Sequence, residues 1–481
     1  MKKWNLIRTK NLNNYVYSEK YKLFSYMPDA GFAALMGNQV KEEKNNYYIQ
    51  KYNFLKEKGF FDTIPIEFET QYDPQKIHFN ISNLRQLLVE VTDCCNLQCT
   101  YCGYGEYYNN YDKRETRQQK FSTVKAVIDQ FALVWNSEAN TSYNKIIRIG
   151  FYGGEPLMNF SLIKKIVEYV ETLDISGMTF AYNMTTNGLL LHRYMDFIAK
   201  KNFSLLISLD GDEFNSSYRV DKKGENRFRV IIQNAHLLKN KYPEYFKENV
   251  NFNSVLHDRN SAAESYRFIK EQFDKAPRVA QLNVNGVDEE KREDFMRMFN
   301  SKPESVKDAE VNNKMKDDDG FIKSETFAFH SFLQNYVGHD YKSFNDLYSI
   351  DTQHRFIPTG TCQPFERKIF LTVNGKLLPC EKVGHQHSLG CVADGVLNLD
   401  YETIADYYGC LYEKIVGLCQ NCLSATTCGQ CIFNLVKKNG EIDCPYYASK
   451  DKTNTLIEDS LDYAENNPEK YAEIMNKMIV D

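Results

Sequence analysis

The chain has 481 residues, too many for one ordinary domain, and 59 Lys and Arg against 64 Asp and Glu give a net charge of −5. This mild acidity argues against nonspecific nucleic-acid binding, because the phosphate backbone attracts positive charge. No run of about 18 apolar residues is present, so no membrane partner is expected either.

Cysteine usage divides the chain into two cysteine-rich regions. Four of the thirteen cysteines lie between residues 94 and 102, and the other nine lie between residues 362 and 444. A disulfide framework would scatter cysteines along the chain, whereas two metal sites would group them. The first ten residues contain no apolar segment typical of a signal peptide. We therefore expect a cytoplasmic protein whose thiols stay reduced or bind metal.

Residues 1–84 predict a small α+β domain. Aromatic residues alternate with other residues at positions 15–18 and 21–26, which is typical of a β-hairpin. Apolar residues then recur at helical spacing from Tyr48 to Phe61. Taken alone, such a unit can be a structural cap on the domain that follows.

Residues 85–290 alternate apolar strands with amphipathic helices, which predicts a parallel sheet covered by helices. There are six strand–helix units rather than eight, so we expect a partial (β/α)6 TIM-like barrel. Ser122 is expected to cap the first of these helices. The chemistry of such sheets gathers at the carboxyl ends of the strands. The candidate strands are Leu87–Val91, Ile146–Tyr152, Met178–Met184, Phe203–Leu209, Val250–Leu256 and Val279–Asn285.

The first predicted strand is followed by Cys95, Cys99 and Cys102, in the spacing C-x3-C-x2-C. Three thiolates on one loop can hold three irons of a 4Fe-4S cluster and leave the fourth iron open. A zinc knuckle is the alternative, but zinc takes four ligands and no histidine lies nearby. With Tyr101 before the last cysteine, the loop resembles that of the radical S-adenosylmethionine (radical SAM) superfamily. The resemblance implies that the open iron binds SAM, whose reductive cleavage yields a 5′-deoxyadenosyl radical.

Motifs at other strand ends support the same resemblance. A Gly-Gly-Glu-Pro sequence follows the second strand and resembles the family motif that holds the methionine amino group of SAM, although alone it would indicate a turn. Two residues of this site have an alternative role. Tyr101 could only pack the loop, and Arg219 could form an ordinary surface salt bridge. The SAM site implied by the resemblance consists of Tyr101, Gly153, Gly154, Glu155, Pro156, Ser208, Asp210 and Arg219.

Residues 291–350 predict a charged helical bridge, and residues 351–481 hold the second cysteine-rich region and a polar C-terminal helix. The cysteine spacing of this region resembles the SPASM extension of radical SAM enzymes, which carries two auxiliary 4Fe-4S clusters. One departure is that Cys428-x2-Cys431 stands where the family has Cys-x3-Cys. Two zinc sites in a ribbon are the alternative.

The resemblance implies three 4Fe-4S clusters in all, with SAM as the further cofactor. The inner auxiliary set lacks a fourth cysteine, so its last iron is either open or closed by Cys391 or Cys410. If Cys410 does not bind the cluster, it is expected to be a buried small residue. Cys94 is also expected to be a buried small residue. The implied inner ligands are Cys362, Cys380 and Cys431, and the implied outer ligands are Cys419, Cys422, Cys428 and Cys444.

Two reactions on a peptide substrate compete. A maturase of ribosomally made peptides would install a thioether, C–C or C–O crosslink in a precursor peptide, whose leader would bind a winged-helix-like domain at residues 1–84. An anaerobic sulfatase-maturating enzyme would instead oxidise Cys or Ser to formylglycine. The long N-terminal segment favours the maturase. An iron–sulfur electron carrier without SAM chemistry is the alternative from another class. We expect a flavodoxin- or ferredoxin-type electron donor, and no catalytic base is identified.

Overall fold

The structure is a computed structural model that describes residues 6–29, 31–32, 46–62, 66–141, 146–175, 177–311, 324–337, 355–359, 362–437 and 440–477. The chain divides into two compact units. The smaller unit comprises Met1–Thr70, Ile322–Thr361 and Cys410–Asp481, and the larger comprises Gln71–Phe321 and Cys362–Gly409. The four domains expected from the sequence have other boundaries and stay a prediction.

Fifteen strands occur in the described residues and form three sheets. In chain order they are β1 (Leu6–Arg8), β2 (Asn14–Ser18), β3 (Leu23–Met27), β4 (Glu67–Phe68), β5 (Gln86–Thr92), β6 (Ile146–Gly153), β7 (Thr179–Thr186), β8 (Ser204–Ser208), β9 (Val250–Leu256), β10 (Arg278–Gln281), β11 (Arg355–Phe356), β12 (Lys368–Leu371), β13 (Lys376–Leu378), β14 (Gly390–Ala393) and β15 (Val396–Asn398).

The helices of the same residues are mostly short, and none of them is both long and apolar enough to cross a bilayer. In chain order they are α1 (Asn46–Glu57), α2 (Pro74–Ser82), α3 (Phe121–Trp135), α4 (Phe160–Val170), α5 (Leu191–Lys200), α6 (Phe228–Lys241), α7 (Pro243–Asn249), α8 (Ala262–Phe273), α9 (Arg292–Arg297), α10 (Lys302–Val311), α11 (Ser324–Tyr336), α12 (Tyr401–Cys419), α13 (Ile432–Leu435), α14 (Lys450–Asn466) and α15 (Pro468–Lys477).

The larger unit is built on one ten-stranded sheet in the order β10-β9-β8-β7-β6-β5-β12-β13-β14-β15. Strands β5 to β10 are all parallel, which confirms the predicted α/β arrangement of six strands. β12 continues the sheet parallel to β5, and β13 to β15 add antiparallel strands that the sequence did not predict. The sheet is therefore mixed.

Strand β9 buries one of its faces completely and the other only in part. Along β9 the burial alternates, so that Phe252 is fully buried while Asn251 and Asn253 are half-buried. Phe252 packs against Phe246 and Phe273, which lie on two of the helices that follow β8 and β9. The half-buried face is therefore the one turned away from these helices, as expected for the inside of a partial barrel.

The predicted N-cap of the first helix after β5 is wrong. Helix α3 begins at Phe121, so its N-cap is not Ser122.

The smaller unit contains the predicted hairpin, formed by the antiparallel strands β2 and β3, with β1 as a third strand. Tyr52 of α1 packs against Val16 of β2. A second hydrophobic cluster joins strands β1 and β2 to helices α11 and α14. Its buried members are Ile7, Tyr17, Phe329, Phe332, Leu333, Ile457 and Leu461.

Candidate active site

The loop with the three spaced cysteines begins at the carboxyl end of β5, at an irregularity in the sheet. Glu90 pairs with Tyr152 of β6, but Thr92 pairs with Gly153, so β5 carries one extra residue between them. Such a bulge bends a strand and redirects the side chains that follow, and bulges often occur beside functional sites. The bulge thus turns the chain out of the sheet immediately before the cysteine loop.

Hydrogen bonds hold this loop on both sides. The Asp93 carboxylate accepts the backbone N–H groups of Glu115 at 2.9 Å and Arg117 at 2.6 Å. On the other side, the backbone N–H of Thr100 donates to the Tyr218 carbonyl at 3.2 Å. The loop is thereby anchored without help from the cysteine side chains.

Two of the three sulfur atoms accept hydrogen bonds. Cys95 Sγ accepts from the backbone N–H of Leu97 at 3.4 Å and from Nδ2 of Asn187 at 3.8 Å. Cys102 Sγ accepts from Nη2 of Arg114 at 3.9 Å. Hydrogen bonds to cysteine sulfur are one of the means by which a protein sets the reduction potential of an iron–sulfur cluster.

The three thiols lie close enough to affect one another's ionisation. Burial raises the pKa of Cys95 to about 11 and that of Cys99 to about 12, and negative charge on Cys102 raises both further. A nearby cation would favour deprotonation of Cys95 and Cys99, and soft thiolate donors suit iron. No three His, Cys, Asp or Glu side chains among the described residues are grouped for a single metal ion. The cysteines of a cubane bind different irons, so this donor set fits a 4Fe-4S cluster.

The two glycines at the end of β6, Gly153 and Gly154, lie directly against the cysteine loop. A Cβ atom on Gly154 would lie 2.1 Å from the carbonyl oxygen of Cys94, and one on Gly153 would lie 2.1 Å from that of Thr92. The N–H of Gly154 donates to the Thr92 carbonyl at 2.9 Å, and the N–H of Glu155 donates to the Cys94 carbonyl at 2.8 Å. Only glycine permits this approach of two backbones.

The carboxylate of Glu155 is fully buried and joins the ends of β6 and β7. Its oxygens accept hydrogen bonds from the N–H of Leu157 at 3.0 Å, the hydroxyl of Thr186 at 2.7 Å and the N–H of Asn187 at 2.7 Å. Burial raises the pKa of this carboxyl, and the three donors oppose the rise. Pro156 begins the short helix that follows. The contacts of this segment with SAM stay a prediction.

Three of the residues implied for SAM binding form a buried network under the loop. Arg219 donates from Nε and Nη2 to the two carboxylate oxygens of Asp210, each at 2.8 Å, and the hydroxyl of Tyr101 donates to the same carboxylate. Burial raises the pKa of Asp210, but Arg219 and His257 outweigh it and lower the value to about 2. The alternative of a surface salt bridge for Arg219 is wrong, because both partners are buried.

Two other predicted features lie at strand ends: the SAM-site residue Ser208 and the end of the sixth strand. Ser208 is half-buried, ends β8 and pairs in register with Asn253 of β9. The sixth strand was predicted to reach Asn285, but β10 ends at Gln281. The reason is local: the side chain of Asn283 accepts the N–H of Asn285 at 3.1 Å, a turn that competes with a strand.

The second cysteine-rich region brings four predicted ligands to one cavity of about 280 Å³ in the smaller unit. Burial raises the pKa of Cys419 to about 11, and negative charge on Cys428 and Cys422 raises it further. The sulfur of Cys422 also accepts the backbone N–H of Ala448 at 3.5 Å. The cysteines that line the cavity are Cys419, Cys422, Cys428 and Cys444.

The inner auxiliary ligands divide between the two units, with Cys362 and Cys380 in the larger unit and Cys431 in the smaller. The sulfur of Cys380 accepts the N–H of Lys382 at 3.2 Å. Their joint ligation of a cluster stays a prediction. Cys410, expected to be buried if it is not a ligand, is exposed, as is Cys391.

Sequence reasoning missed three side chains around the cysteine loop: Glu90, Asp93 and Arg114. One of them had a visible signal, because Glu90 is the only charged residue in the apolar run Leu87–Val91. The other two are charged residues in loops, where a sequence carries no periodic signal.

Comparison with known proteins agrees with this geometry. Residues 89–269 match the radical SAM superfamily. A cysteine-type anaerobic sulfatase-maturating enzyme of Clostridium novyi is 27% identical over 197 residues, which are 40% of this chain and 49% of that protein. The radical SAM cyclopropyl synthase TigE of Paramaledivibacter caminithermalis is 26% identical over 260 residues, 50% of this chain and 51% of TigE. The chain spans about half the length of these curated relatives.

The fold is also similar to that of a solved structure. Native anSMEcpe with bound AdoMet and the Kp18Cys peptide matches 82% of this chain and 99% of its own, with a TM-score of 0.53 and 16% identity. The chain therefore contains a radical SAM domain, the mark of an enzyme class, on an α/β fold like that of anSMEcpe. Within that class it is related in sequence to anaerobic sulfatase-maturating enzymes and to TigE.

Proposed function

We propose that the chain is a radical SAM peptide maturase that installs a crosslink in a precursor peptide. One observation carries the proposal: three mutually interacting thiols stand at the carboxyl end of β5, against the Gly-Gly-Glu segment, inside a radical SAM domain. Cys95, Cys99 and Cys102 would hold the 4Fe-4S cluster, which when bound supplies the electron for cleavage of SAM. Glu155 and Asp210 keep the strand ends in place around it.

We propose that two auxiliary 4Fe-4S clusters accompany the first. The outer set is supported by four cysteines that line one cavity, and the inner set only by sequence spacing. None of the thirteen cysteines forms a disulfide, which supports a reducing compartment, for which we propose the cytoplasm. A flavodoxin- or ferredoxin-type protein would supply electrons.

The smaller unit supports leader binding by its edge strand. β3 is the last strand of its sheet in the described residues, and an edge strand can add a peptide through main-chain hydrogen bonds. A groove beside it is lined by Tyr26 of β3 and by Tyr48, Lys51 and Leu55 of α1. An extended leader laid against β3 would contact this groove with alternate side chains.

The second candidate is an anaerobic sulfatase-maturating enzyme that makes formylglycine. Two observations favour it: the relationship to the Clostridium novyi enzyme and the fold shared with anSMEcpe, whose structure contains a peptide. Mass spectrometry distinguishes the reactions. A crosslink removes two hydrogens from the peptide, whereas formylglycine introduces an aldehyde that reacts with hydrazides.

The proposed function is tested with anaerobically reconstituted protein, SAM and a strong reductant. The wild type is expected to form 5′-deoxyadenosine, and Cys95→Ala, Cys99→Ala and Cys102→Ala are each expected to form none, because each removes an iron ligand. Chromatography of the nucleoside products is the measurement. As the comparison, Cys419→Ala should still form 5′-deoxyadenosine but no modified peptide. Activity in any variant of the first set would refute the cluster assignment.

A further inference from the structure

Thr359 lines the same cavity of the smaller unit as the four cysteines of the outer auxiliary set. Its φ is 68°, in the left-handed region of backbone space. A β-branched residue is rare in this region because its side chain crowds the backbone, and glycine adopts the same conformation at no such cost. Strained residues of this kind are concentrated at active sites and around ligands. The strain therefore indicates that the side chain of Thr359 is used.

The hydroxyl of Thr359 has no hydrogen-bond partner in the part of the chain that the structure describes. The residue is 1% exposed, and its Oγ1 atom is buried. Buried polar atoms are nearly always paired in proteins, so this hydroxyl calls for an explanation. Because the residue borders a cavity, a group that fills the cavity can supply the missing partner. A hydroxyl has one proton to donate, so an acceptor in the cavity would satisfy it.

The backbone around the cavity already supplies one hydrogen-bond donor to each of the four cysteines. Each donor is the N–H group of a residue that also borders the cavity or directly follows one that does. The pairs of donor and acceptor are Thr359 with Cys419, Ala448 with Cys422, Gln430 with Cys428 and Tyr446 with Cys444. The hydroxyl of Thr359 is thus an additional donor, and it belongs to the residue whose own N–H bonds to Cys419.

The surroundings of this hydroxyl fit an iron–sulfur cluster. The cavity of about 280 Å³ is larger than one metal ion requires, and no three metal-binding side chains of the described residues are grouped around a single point. A cluster held by four cysteines carries thiolate and sulfide atoms on its surface. These atoms are negatively charged acceptors, which a hydroxyl and four N–H groups complement.

We propose that the hydroxyl of Thr359 donates a hydrogen bond to a sulfur atom of the outer auxiliary cluster and raises its reduction potential. This inference rests on the proposed function, which places the cluster in this cavity. Reduction adds an electron and so increases the negative charge on the sulfur atoms. A donor therefore stabilises the reduced cluster more than the oxidised one. Thr359 takes no part in bond making and acts only through the potential of the cluster.

Three substitutions of Thr359 separate the hydroxyl from the shape of the side chain. Thr359→Val keeps the branched shape and removes the hydroxyl, Thr359→Ala removes both, and Thr359→Ser keeps the hydroxyl alone. Thr453→Val is the matched control. Thr453 lies in the same unit and also has a buried hydroxyl without a partner among the described residues, but it does not line the cavity.

The measurement is a redox titration of the full-length, anaerobically reconstituted protein, followed by electron paramagnetic resonance. The signal of the outer cluster is the one that Cys419→Ala removes. In Thr359→Val and Thr359→Ala the equilibrium constant for reduction is expected to fall at least about fivefold, the effect of a hydrogen bond to a charged group. For a one-electron couple this is a shift of about 40 mV to more negative potential. Thr359→Ser and Thr453→Val should keep the wild-type potential.

A second readout reports the hydrogen bond itself. In protein reconstituted in D2O, pulsed electron paramagnetic resonance should detect one exchangeable deuteron fewer at this cluster in Thr359→Val than in the wild type. The number should be unchanged in Thr453→Val, because its hydroxyl is not at the cavity.

Equal potentials in the wild type, Thr359→Val and Thr359→Ala would overturn the inference. A shift in Thr359→Ser as large as that in Thr359→Ala would do the same, because side-chain volume would then set the potential. If Thr359→Val binds no cluster, the comparison of the Ser and Ala variants decides. If Cys419→Ala removes no signal of the wild type, the outer cluster of the proposed function is itself wrong and the inference fails with it.

Discussion

Asp210 is a buried carboxylate beneath the cysteine loop. It forms an ion pair with Arg219 through two hydrogen bonds, and it accepts a third hydrogen bond from the hydroxyl of Tyr101. The resemblance implied a role for these residues at the ligand. The contact of Tyr101 with Asp210 was not predictable, because it joins positions 109 residues apart in the chain. What they do in the folded chain is to tie the loop to the end of β8.

Asp210→Asn is expected to lower the free energy of unfolding by about 3–5 kcal/mol, because Arg219 is left as a buried charge without its counter-ion. Denaturant unfolding of the anaerobically purified protein measures the change. The control is Asp196→Asn, which breaks a surface pair with Lys241 at 2.6 Å and should have a much smaller effect. Similar losses in both variants would mean that burial of the pair does not matter.

Glu90 should make the stability of the chain depend on pH. Burial raises the pKa of its carboxyl from 4.5 to about 7, so the folded chain holds this proton more tightly than the unfolded chain between these values. Stability is therefore lost as pH rises through 7, by about 3 kcal/mol in all. Thermal melts at pH 5 and pH 8 should show a smaller decline for Glu90→Gln than for the wild type. An equal decline in both proteins would exclude Glu90 as the cause.

At the scale of elements, the end of β6 and the cysteine loop are held together by backbone contact. Gly153 and Gly154 leave no room for a side chain on the side of the loop. The sequence motif implied contact with SAM, and in the structure the two glycines approach the backbone of the cysteine loop. The glycines thus determine where the cysteines stand.

Gly154→Ala is expected to displace the cysteine loop and to lower the iron and sulfide bound after reconstitution severalfold. The added Cβ would otherwise lie 2.1 Å from a carbonyl oxygen. Gly103→Ala is the matched control, because a Cβ at that position, beside Cys102, meets nothing within 4 Å. Iron and sulfide analysis with the visible absorption of the cluster gives the result. Full occupancy in Gly154→Ala would show that the loop does not need this contact.

The parallel strands were predictable because each is an apolar run between amphipathic helices. The sixth strand was extended too far, since Gln281, Asn283 and Asn285 alternate as in a strand but fold into a turn held by a side chain. Strands β12 to β15 were missed because they have three or four residues each, too few for a periodic pattern. β12 joins the sheet by pairing with β5, which lies far away in the sequence, and β13 to β15 then extend the sheet from β12.

At the scale of the whole molecule, strands from the start of the chain share a hydrophobic cluster with helices from its end. Ile7 and Tyr17 share one hydrophobic cluster with Phe332 and Leu461, so removing residues 1–84 would expose apolar surface in the rest of the smaller unit. The hairpin and the helix are local patterns that the sequence shows, whereas this shared cluster forms only in the fold. A point substitution is therefore the better test of leader binding.

Tyr26→Asp is expected to weaken binding of the precursor peptide at least about tenfold, because it places a charge in the groove beside β3. Phe54→Asp is the control, since Phe54 is also exposed on the smaller unit but lies outside the groove. Fluorescence anisotropy with the labelled peptide reports the affinity, and formation of 5′-deoxyadenosine without peptide should be the same in both variants. Equal affinities would remove β3 as the leader site.

The two exposed cysteines have a practical consequence for anyone who handles the protein in air. Cys391 and Cys410 present their thiols to solvent, where molecular oxygen and trace copper convert such groups into mixed disulfides between chains. Covalent dimers seen on a gel without reductant would then result from oxidation during storage and would not indicate a native dimer. Replacing both with serine should yield a preparation that keeps one size on ageing while leaving in place the ten cysteines proposed as iron ligands.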